Sequence, residues 1–307
     1  MIFRLSSVLV LAWALIVLAA AFAFSMGSPQ ERKMKIFISV DMEGVAGVVT
    51  ADQLGPSGFE YQRAREWMTR EVLAVVNAAK AAGAAEFVVA DSHGNAQNLV
   101  IDMFPDEVRV VRGFPRRLEM MAGIDNSFDA AFLIGYHAST NNLHGTRAHT
   151  FSSASLTRVS LNGVIVTEGA FNAAIAGHFG VPVVMIAGDD AAVAEIQSVI
   201  GNVEAAVTKK TLGYHSAETL TPAASCDLIG KKTRAALGRL KDFKPYTIKS
   251  PVTLEIGFKN YRPVEVLSLL RGVERIDSHA IRYQAKDILE ASDFLNFVTA
   301  YSITLEP

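Results

Sequence analysis

One stretch of the sequence, residues 35–44 (KIFISVDMEG), constrains the fold more than any other. Its almost continuous apolar run is typical of a parallel β-strand that is covered on both faces. Asp41 and Glu43 follow this run directly. Because side chains alternate along a strand, both carboxylates are expected to project from the same side of its carboxyl end. Open α/β sheets bind ligands at this end of their strands, so the stretch predicts a buried strand that leads into a functional site.

The same arrangement recurs twice further along the chain. The strand predicted over residues 86–90 runs into a polar turn that contains His93, and the strand predicted over 130–134 opens into His137. Between the first two strands, apolar residues recur at helical spacing over 61–82. This alternation predicts an α/β fold, with a Rossmann-like, mostly parallel sheet that has helices on both faces.

The remaining apolar patterns complete a plan of two domains. Asn162-Gly163 is the strongest short signal for a two-residue hairpin turn, and the texture of the sequence changes near residue 209. We expect a larger α/β domain over 34–208, which carries the site and any catalysis, and a smaller α+β C-terminal domain over 209–307. The other predicted elements are strands over 108–111, 156–161, 164–167, 181–187, 203–207, 252–258 and 280–285, and helices over 116–123, 170–179, 191–200, 221–240, 263–270 and 287–301.

The first residues differ from the rest of the chain. Arg4 precedes an uninterrupted apolar run over 8–24, and small residues at its end suit cleavage by signal peptidase. This pattern predicts a signal peptide over 1–27, and the alternative is an uncleaved N-terminal membrane anchor. Either interpretation predicts an exported protein, which is periplasmic or secreted, or tethered to the inner membrane.

Composition excludes several classes of function. The 307 residues carry a formal net charge of −2 with no basic stripe, so a nucleic-acid partner is not expected. Cys226 is the only cysteine, which rules out an internal disulfide and a cysteine-based zinc site. We expect Cys226 to be an inert core residue. A metal site in this chain must therefore use carboxylates and imidazoles.

Five side chains near the predicted strand ends form such a set. They are three carboxylates and two imidazoles, which suit Zn²⁺ or a related divalent ion. Because one catalytic zinc takes about three protein ligands, five suggest two ions about 3.5–4 Å apart, with Asp41 as the bridging carboxylate. Two such ions activate water and polarise a carbonyl, which is the chemistry of amide hydrolysis. The set is Asp41, Glu43, His93, His137 and Glu168.

Each of these residues also has a purely structural interpretation. Asp41 and Glu43 could cap a loop, each histidine could be a hydrogen-bonded turn residue, and Glu168 could lie at a helix N-terminus, where negative charge is favourable. The metal interpretation is preferred because the carboxyl ends of parallel strands converge at one edge of a sheet. Asp189 and Asp190, by contrast, are expected to cap the helix that follows them.

Five short motifs occur together in this sequence: SVDMEG (39–44), DSHG (91–94), GYHA (135–138), TEGAFNA (167–173) and VVMIAGDD (183–190). With them the chain resembles the D-aminopeptidase family of dizinc peptidases over residues 34–301. The resemblance implies two zinc ions held by the same five ligands, with Asp41 as the bridge. It also implies a ring-shaped homo-oligomer and a catalytic histidine in the loop after His137. His149 matches that histidine best, and His144 is the alternative.

The expected function is that of an exported metallo-aminopeptidase, which uses two zinc ions to release an N-terminal D-amino acid from short peptides. Alternatives on the same site are an L-aminopeptidase or an amidase. A phosphoesterase is disfavoured because neither a Gly-rich P-loop nor a basic cluster accompanies the ligands. A non-catalytic metal- or peptide-binding protein is the alternative of a different class, and a catalytically placed His149 distinguishes the enzyme from it. Preference for D or L substrates depends on the cavity walls, and the choice among Zn²⁺, Co²⁺ and Mn²⁺ depends on geometry and availability.

Overall fold

The computed structural model describes residues 33–301, which form twelve strands and six α-helices. The strands are β1 (Met34–Val40), β2 (Ala84–Asp91), β3 (Val108–Val111), β4 (Ala130–Tyr136), β5 (Leu156–Leu161), β6 (Val164–Ile165), β7 (Val183–Asp189), β8 (Glu204–Gly213), β9 (Ser216–Thr219), β10 (Val252–Phe258), β11 (Val273–Arg275) and β12 (Ala280–Ala285). The helices are α1 (Tyr61–Ala81), α2 (Glu168–His178), α3 (Asp190–Ile200), α4 (Pro222–Gly238), α5 (Tyr261–Leu267) and α6 (Ile288–Ala300).

A seven-stranded sheet lies at the centre, in the order β3-β2-β1-β4-β7-β8-β9. Every neighbouring pair is parallel except β8 and β9, which are antiparallel. Strand β1 lies between β2 and β4, so the three strands that carry the predicted polar ends are direct neighbours. The predicted α/β fold with a mostly parallel sheet is confirmed.

The pattern of strand β1 follows from two separate cores. Ile36, Ile38 and Val40 face a core that includes apolar residues of helices α1 and α4. Phe37 faces the other core, which includes residues of α2, α6 and a second sheet. Because both faces of the strand are covered, its sequence is apolar at successive positions rather than at alternate ones.

The second sheet is antiparallel and has the strand order β11-β12-β10-β5-β6. The hairpin predicted around Asn162-Gly163 forms its β5–β6 edge, with Asn162 at a φ of 51° and Gly163 at 82°. Strand β10 pairs with both β5 and β12, so the sheet unites residues from before and after position 208. The division into domains at 208 stays a prediction.

Several elements differ from the sequence prediction. The helix expected over 116–123 is a single 3₁₀ turn at Glu119–Met121, because Leu118 and Glu119 adopt left-handed backbone conformations with φ of 65° and 51°. The strand expected over 203–207 continues to Gly213 as β8 and forms a hairpin with β9. Asp189 caps α3 as expected, because its side chain accepts a hydrogen bond from the Ala192 N–H.

The predicted signal peptide or anchor over 1–27 lies outside the described residues. Within residues 33–301, no helix combines the length and the apolar character that crossing a membrane requires.

Glycines allow the ends of the central strands to approach closely. A Cβ on Gly44 would lie 2.0 Å from the Tyr136 carbonyl oxygen, and one on Gly135 would lie 2.1 Å from the Asp41 carbonyl oxygen. The Gly44 N–H donates to the Gly135 carbonyl oxygen at 2.7 Å. A side chain at either position would force β1 and β4 apart at the point where Asp41 leaves the sheet.

We expect Gly44→Ala to lower the free energy of unfolding by about 1–3 kcal/mol or more, because the new methyl group meets backbone rather than a flexible side chain. Denaturant unfolding of the purified protein measures this. Gly55→Ala is the matched control, since no atom of residues 33–301 lies within 4 Å of a Cβ at that position. Equal stability of the two variants would contradict the assigned approach of β1 to β4.

Candidate metal centre

The five predicted ligands meet at the carboxyl edge of the central sheet. Asp41 and Glu43 follow β1, His93 follows β2, and His137 follows β4. Glu168 is the first residue of helix α2, which the Thr167 side chain caps by accepting from the Ala170 N–H. All five side chains are at least nine-tenths buried, with exposed fractions between 1% and 8%.

Ligand-type atoms of these side chains lie close to one another. His93 Nδ1 is 2.8 Å from Glu43 Oε2 and 3.3 Å from Asp41 Oδ1. His137 Nε2 is 3.3 Å from Asp41 Oδ2 and 3.4 Å from Glu168 Oε2. Asp41 thus offers one carboxylate oxygen to each imidazole and lies between two groups of donors.

Backbone carbonyl oxygens fix which nitrogen of each imidazole carries the proton. His93 Nε2 lies 2.8 Å from the Leu54 carbonyl, and His137 Nδ1 lies 3.0 Å from the Ala138 carbonyl. Since a carbonyl oxygen only accepts hydrogen bonds, each of these outer nitrogens is the N–H donor. In the neutral imidazoles the inner nitrogens then carry the lone pairs, and they face the carboxylates, which is the orientation that metal-ligating histidines adopt.

The charges of the cluster shift the pKa of every member. Burial and the charge of Glu43 raise the pKa of Asp41. Burial acts to raise the pKa of Glu43, but the charge and hydrogen bond of His93, together with the charges of His149 and His137, outweigh it, and the pKa falls well below its ordinary value. Burial opposes protonation of His93 and His137, yet the adjacent carboxylates raise the pKa of both imidazoles well above the ordinary value. The cluster therefore attracts positive charge strongly.

The donor set fits divalent metal ions. Asp41 Oδ2 and His137 Nε2 are buried and have no hydrogen-bond partner among the described residues, although they lie 3.3 Å apart. Two ligand atoms on one tetrahedral zinc, with bonds of about 2.0–2.1 Å, are themselves about 3.3 Å apart. In two groups of three residues, one ligand atom from each residue lies within 4.8 Å of the other two. These groups are Asp41-Glu43-His137 and His137-His149-Glu168.

His149 and His144 occupy different environments. His149 is partly buried and lines a cavity of about 310 Å³, together with Asp41, Glu43, His93 and Glu168. Its ring stacks on that of His137 with centroids 4.1 Å apart, and its Nδ1 donates to the Arg147 carbonyl at 2.8 Å. His144 is exposed and does not line this cavity.

A buried lysine, which the sequence analysis did not single out, holds the loop that carries Glu43. Lys209 lies in β8, two residues beyond the strand predicted over 203–207, and donates through Nζ to the carbonyl oxygens of Glu43, Val45 and Val48. Its neighbour Thr208 donates to the Gly44 carbonyl at 2.6 Å. Burial lowers the pKa of Lys209 to about 8.

Helix α1 supports the same loop from another direction. Glu71 Oε1 accepts from the Ala46 N–H at 3.0 Å and from the Ser225 hydroxyl at 2.7 Å. Burial raises the pKa of Glu71 to about 7. The position of Glu43 is therefore set by residues of α1 and β8, which are distant from it in sequence.

A family model described as D-aminopeptidase matches residues 34–297. The chain belongs to the D-aminopeptidase family. This membership confirms the predicted family and the prediction of an enzyme that hydrolyses peptide bonds. A D-aminopeptidase of Bacillus subtilis (strain 168) is 34% identical over 259 residues, which are 84% of this chain and 94% of that protein.

A solved structure of the same family has the same fold. It is described as the Zn-dependent D-aminopeptidase DppA from Bacillus subtilis, a self-compartmentalizing protease. The TM-score is 0.84 at 33% identity, and the match covers 87% of this chain and 97% of that one.

We expect Lys209→Met to lower the free energy of unfolding by about 2–4 kcal/mol, because it leaves buried carbonyl groups without their donor. Lys210→Met is the matched control, since Lys210 is the next residue of β8 and is exposed. Urea unfolding of both variants measures the difference. A Lys209 variant as stable as the Lys210 variant would show that the loop is held without this ammonium group.

Proposed function

We propose that this protein is an exported aminopeptidase that uses two zinc ions to release an N-terminal D-amino acid from short peptides. The observation that carries the proposal is the convergence of three carboxylates and two imidazoles with inner atoms 2.8–3.4 Å apart. The related protein described as a Zn-dependent D-aminopeptidase supports both the metal and the substrate.

Asp41 is the residue that would join the two ions. Glu43 and His93 would complete the ligands of one ion, and His137 and Glu168 those of the other. Asp41 suits a bridge because Oδ1 lies 3.3 Å from His93 Nδ1 while Oδ2 lies 3.3 Å from His137 Nε2. When bound, the ions supply Lewis acidity, which polarises the scissile carbonyl and lowers the pKa of water.

His149 is the group of this chain that would move protons during the reaction. Because its Nδ1 donates to the Arg147 carbonyl, its Nε2 carries the lone pair and lies 3.8 Å from Glu168 Oε1. We infer that Nε2 removes a proton from the attacking water and returns it to the amine that leaves. Stacking on His137 holds the ring in this direction. A carrier of metal or peptide needs ligands but no such group, so His149 favours an enzyme.

The zinc content and turnover of three variants test this assignment. Asp41→Ala should lose both ions, since it removes the bridge. His149→Ala should keep about two zinc ions per chain, as measured by elemental analysis, and lose about 10²- to 10⁴-fold in turnover. His144→Ala is the control in the same loop and should be close to wild type. The assay uses D- and L-alanyl p-nitroanilides, so it also separates a D-aminopeptidase from an L-aminopeptidase.

Other outcomes reassign the roles. If His149→Ala loses zinc in proportion to activity, His149 is a ligand, as its proximity to His137 and Glu168 allows. If His144→Ala loses the turnover instead, His144 is the catalytic histidine. A wild-type protein that binds two zinc ions and hydrolyses neither substrate would support the alternative of a binding protein.

We also propose that the protein is exported. The support is the apolar run over 8–24 behind Arg4. N-terminal sequencing of the protein from fractionated cells should find a mature chain that begins between Ala23 and Ser28. Full-length protein in the membrane fraction would support the anchor, and full-length protein confined to the cytoplasm would refute export.

A ring-shaped homo-oligomer is the proposed assembly. The related structure is described as a self-compartmentalizing protease, which supports association between copies of one chain. Phe59, Leu143 and Leu269 are each at least 85% exposed and are candidates for contacts between subunits. Light scattering of the purified protein measures its mass, and a monomer at working concentration would contradict the proposal.

A further inference from the structure

One carboxylate in the wall of the cavity has no place in the proposed ligand set. Glu119 lines the same cavity as Asp41, Glu43 and Glu168, and only 7% of it is exposed. Its Oε1 atom is buried and has no hydrogen-bond partner among the described residues. Burying a carboxylate oxygen without a partner is costly, so each such atom in a native structure calls for an explanation, and a ligand that supplies the partner is one.

A neighbouring cation is close but is occupied elsewhere. The Arg116 guanidinium donates to the carbonyl oxygens of Asp91 at 2.6 Å, Glu119 at 2.9 Å and Gly113 at 3.2 Å. Arg116 thus binds the backbone of Glu119 and leaves its carboxylate without an ion pair in the described part of the chain. Burial raises the pKa of Glu119 to about 7, while the charge of Arg116 opposes this rise and that of Glu168 adds to it.

The backbone around Glu119 is fixed on both sides. The next carbonyl, that of Met120, accepts hydrogen bonds from the hydroxyls of Ser39 and Ser92, at the ends of β1 and β2. Leu118 and Glu119 both adopt positive φ, which is uncommon for side chains of this size. These contacts fix the turn that carries Glu119 against the ends of β1 and β2, which also carry or precede predicted ligands.

We propose that Glu119 binds the α-ammonium group of the substrate's N-terminal residue. The inference rests on the proposed aminopeptidase function and names the group that makes the enzyme specific for free N-termini. An ammonium brings a positive charge and three N–H donors, which are what a buried carboxylate without a partner requires. An N-acylated peptide brings neither the charge nor those donors, and it would leave Glu119 unpaired.

Two hydroxamates test the proposal by binding rather than by turnover. D-alanine hydroxamate and propionohydroxamate carry the same metal-binding group and differ in the α-amino group alone. Calorimetry on the zinc-loaded protein should find that the wild type prefers the amino compound. Glu119→Gln should reduce this preference by about 10- to 100-fold, the value of a charged hydrogen bond, and should leave the affinity for propionohydroxamate unchanged.

Three further measurements control the result. Glu119→Asp keeps the charge and should retain part of the preference. Glu204 lies on β8 and does not line the cavity, and its carboxylate is ion-paired with Arg239 and Lys232. Glu204→Gln removes this carboxylate and should leave the preference for the amino compound intact. Elemental analysis should find unchanged zinc in Glu119→Gln.

The outcomes separate this inference from the proposed function. An unchanged preference in Glu119→Gln would overturn the proposed role of Glu119. Loss of zinc from this variant would also overturn it, because Glu119 would then be a metal ligand. A wild type that shows the preference, and loses it in Glu119→Gln, supports ammonium recognition even if the turnover assay finds no peptidase activity. In that case the proposed reaction fails and the recognition of amino groups stands.

Discussion

The close packing of three buried carboxylates around two imidazoles is the constraint on which the rest of this structure depends. Such a cluster cannot be buried fully ionised without compensating positive charge. Protonation of His93 and His137, whose pKa values are raised, is one source of this positive charge, and a bound divalent metal ion would be another. Because the inner nitrogens would have to be free of protons to bind metal, we expect metal binding to release protons from the cluster. The sheet that carries these residues packs against an apolar core on each face.

Support for the cluster comes mainly from backbone groups. Carbonyl oxygens orient His93, His137 and His149, and three more carbonyl oxygens receive the ammonium group of Lys209. A carbonyl oxygen has no side-chain torsion of its own, so each contact ties a functional group to the main chain rather than to another flexible side chain. This explains how residues from β1, β2, β4 and α2 can keep ligand atoms within hydrogen-bonding distance of one another.

The parts of this structure that local patterns encode were predictable from the sequence. The apolar run of β1 and the acids that follow it, the Asn162-Gly163 hairpin and the Asp189 cap each depend on a few neighbouring residues. Lys209 was missed because its partners lie more than 160 positions away, and nothing in β8 indicates what its ammonium group contacts. Glu119 was missed because residues 116–123 have the pattern of a helix, whereas Leu118 and Glu119 adopt positive φ and turn the Glu119 stretch into a single 3₁₀ turn. The pairing of β10 with β5 could not be predicted either, because the two strands are far apart in sequence and neither segment alone indicates its partner.

The glycines at the strand ends have a consequence for how the specificity of this enzyme can change. A Cβ on Gly44, Gly135 or Gly188 would lie 2.0–2.1 Å from a neighbouring backbone oxygen, so the chain has no room for a side chain at these positions. Another part of the cavity wall, with Phe114, Ser152 and Ser153, consists of residues on loops. Selection for a new peptide, in nature or in a mutant library, would therefore act on that wall and leave the reacting centre in place. The three glycine positions are thus constrained by close backbone contact, whereas the loop positions that line the cavity already carry side chains.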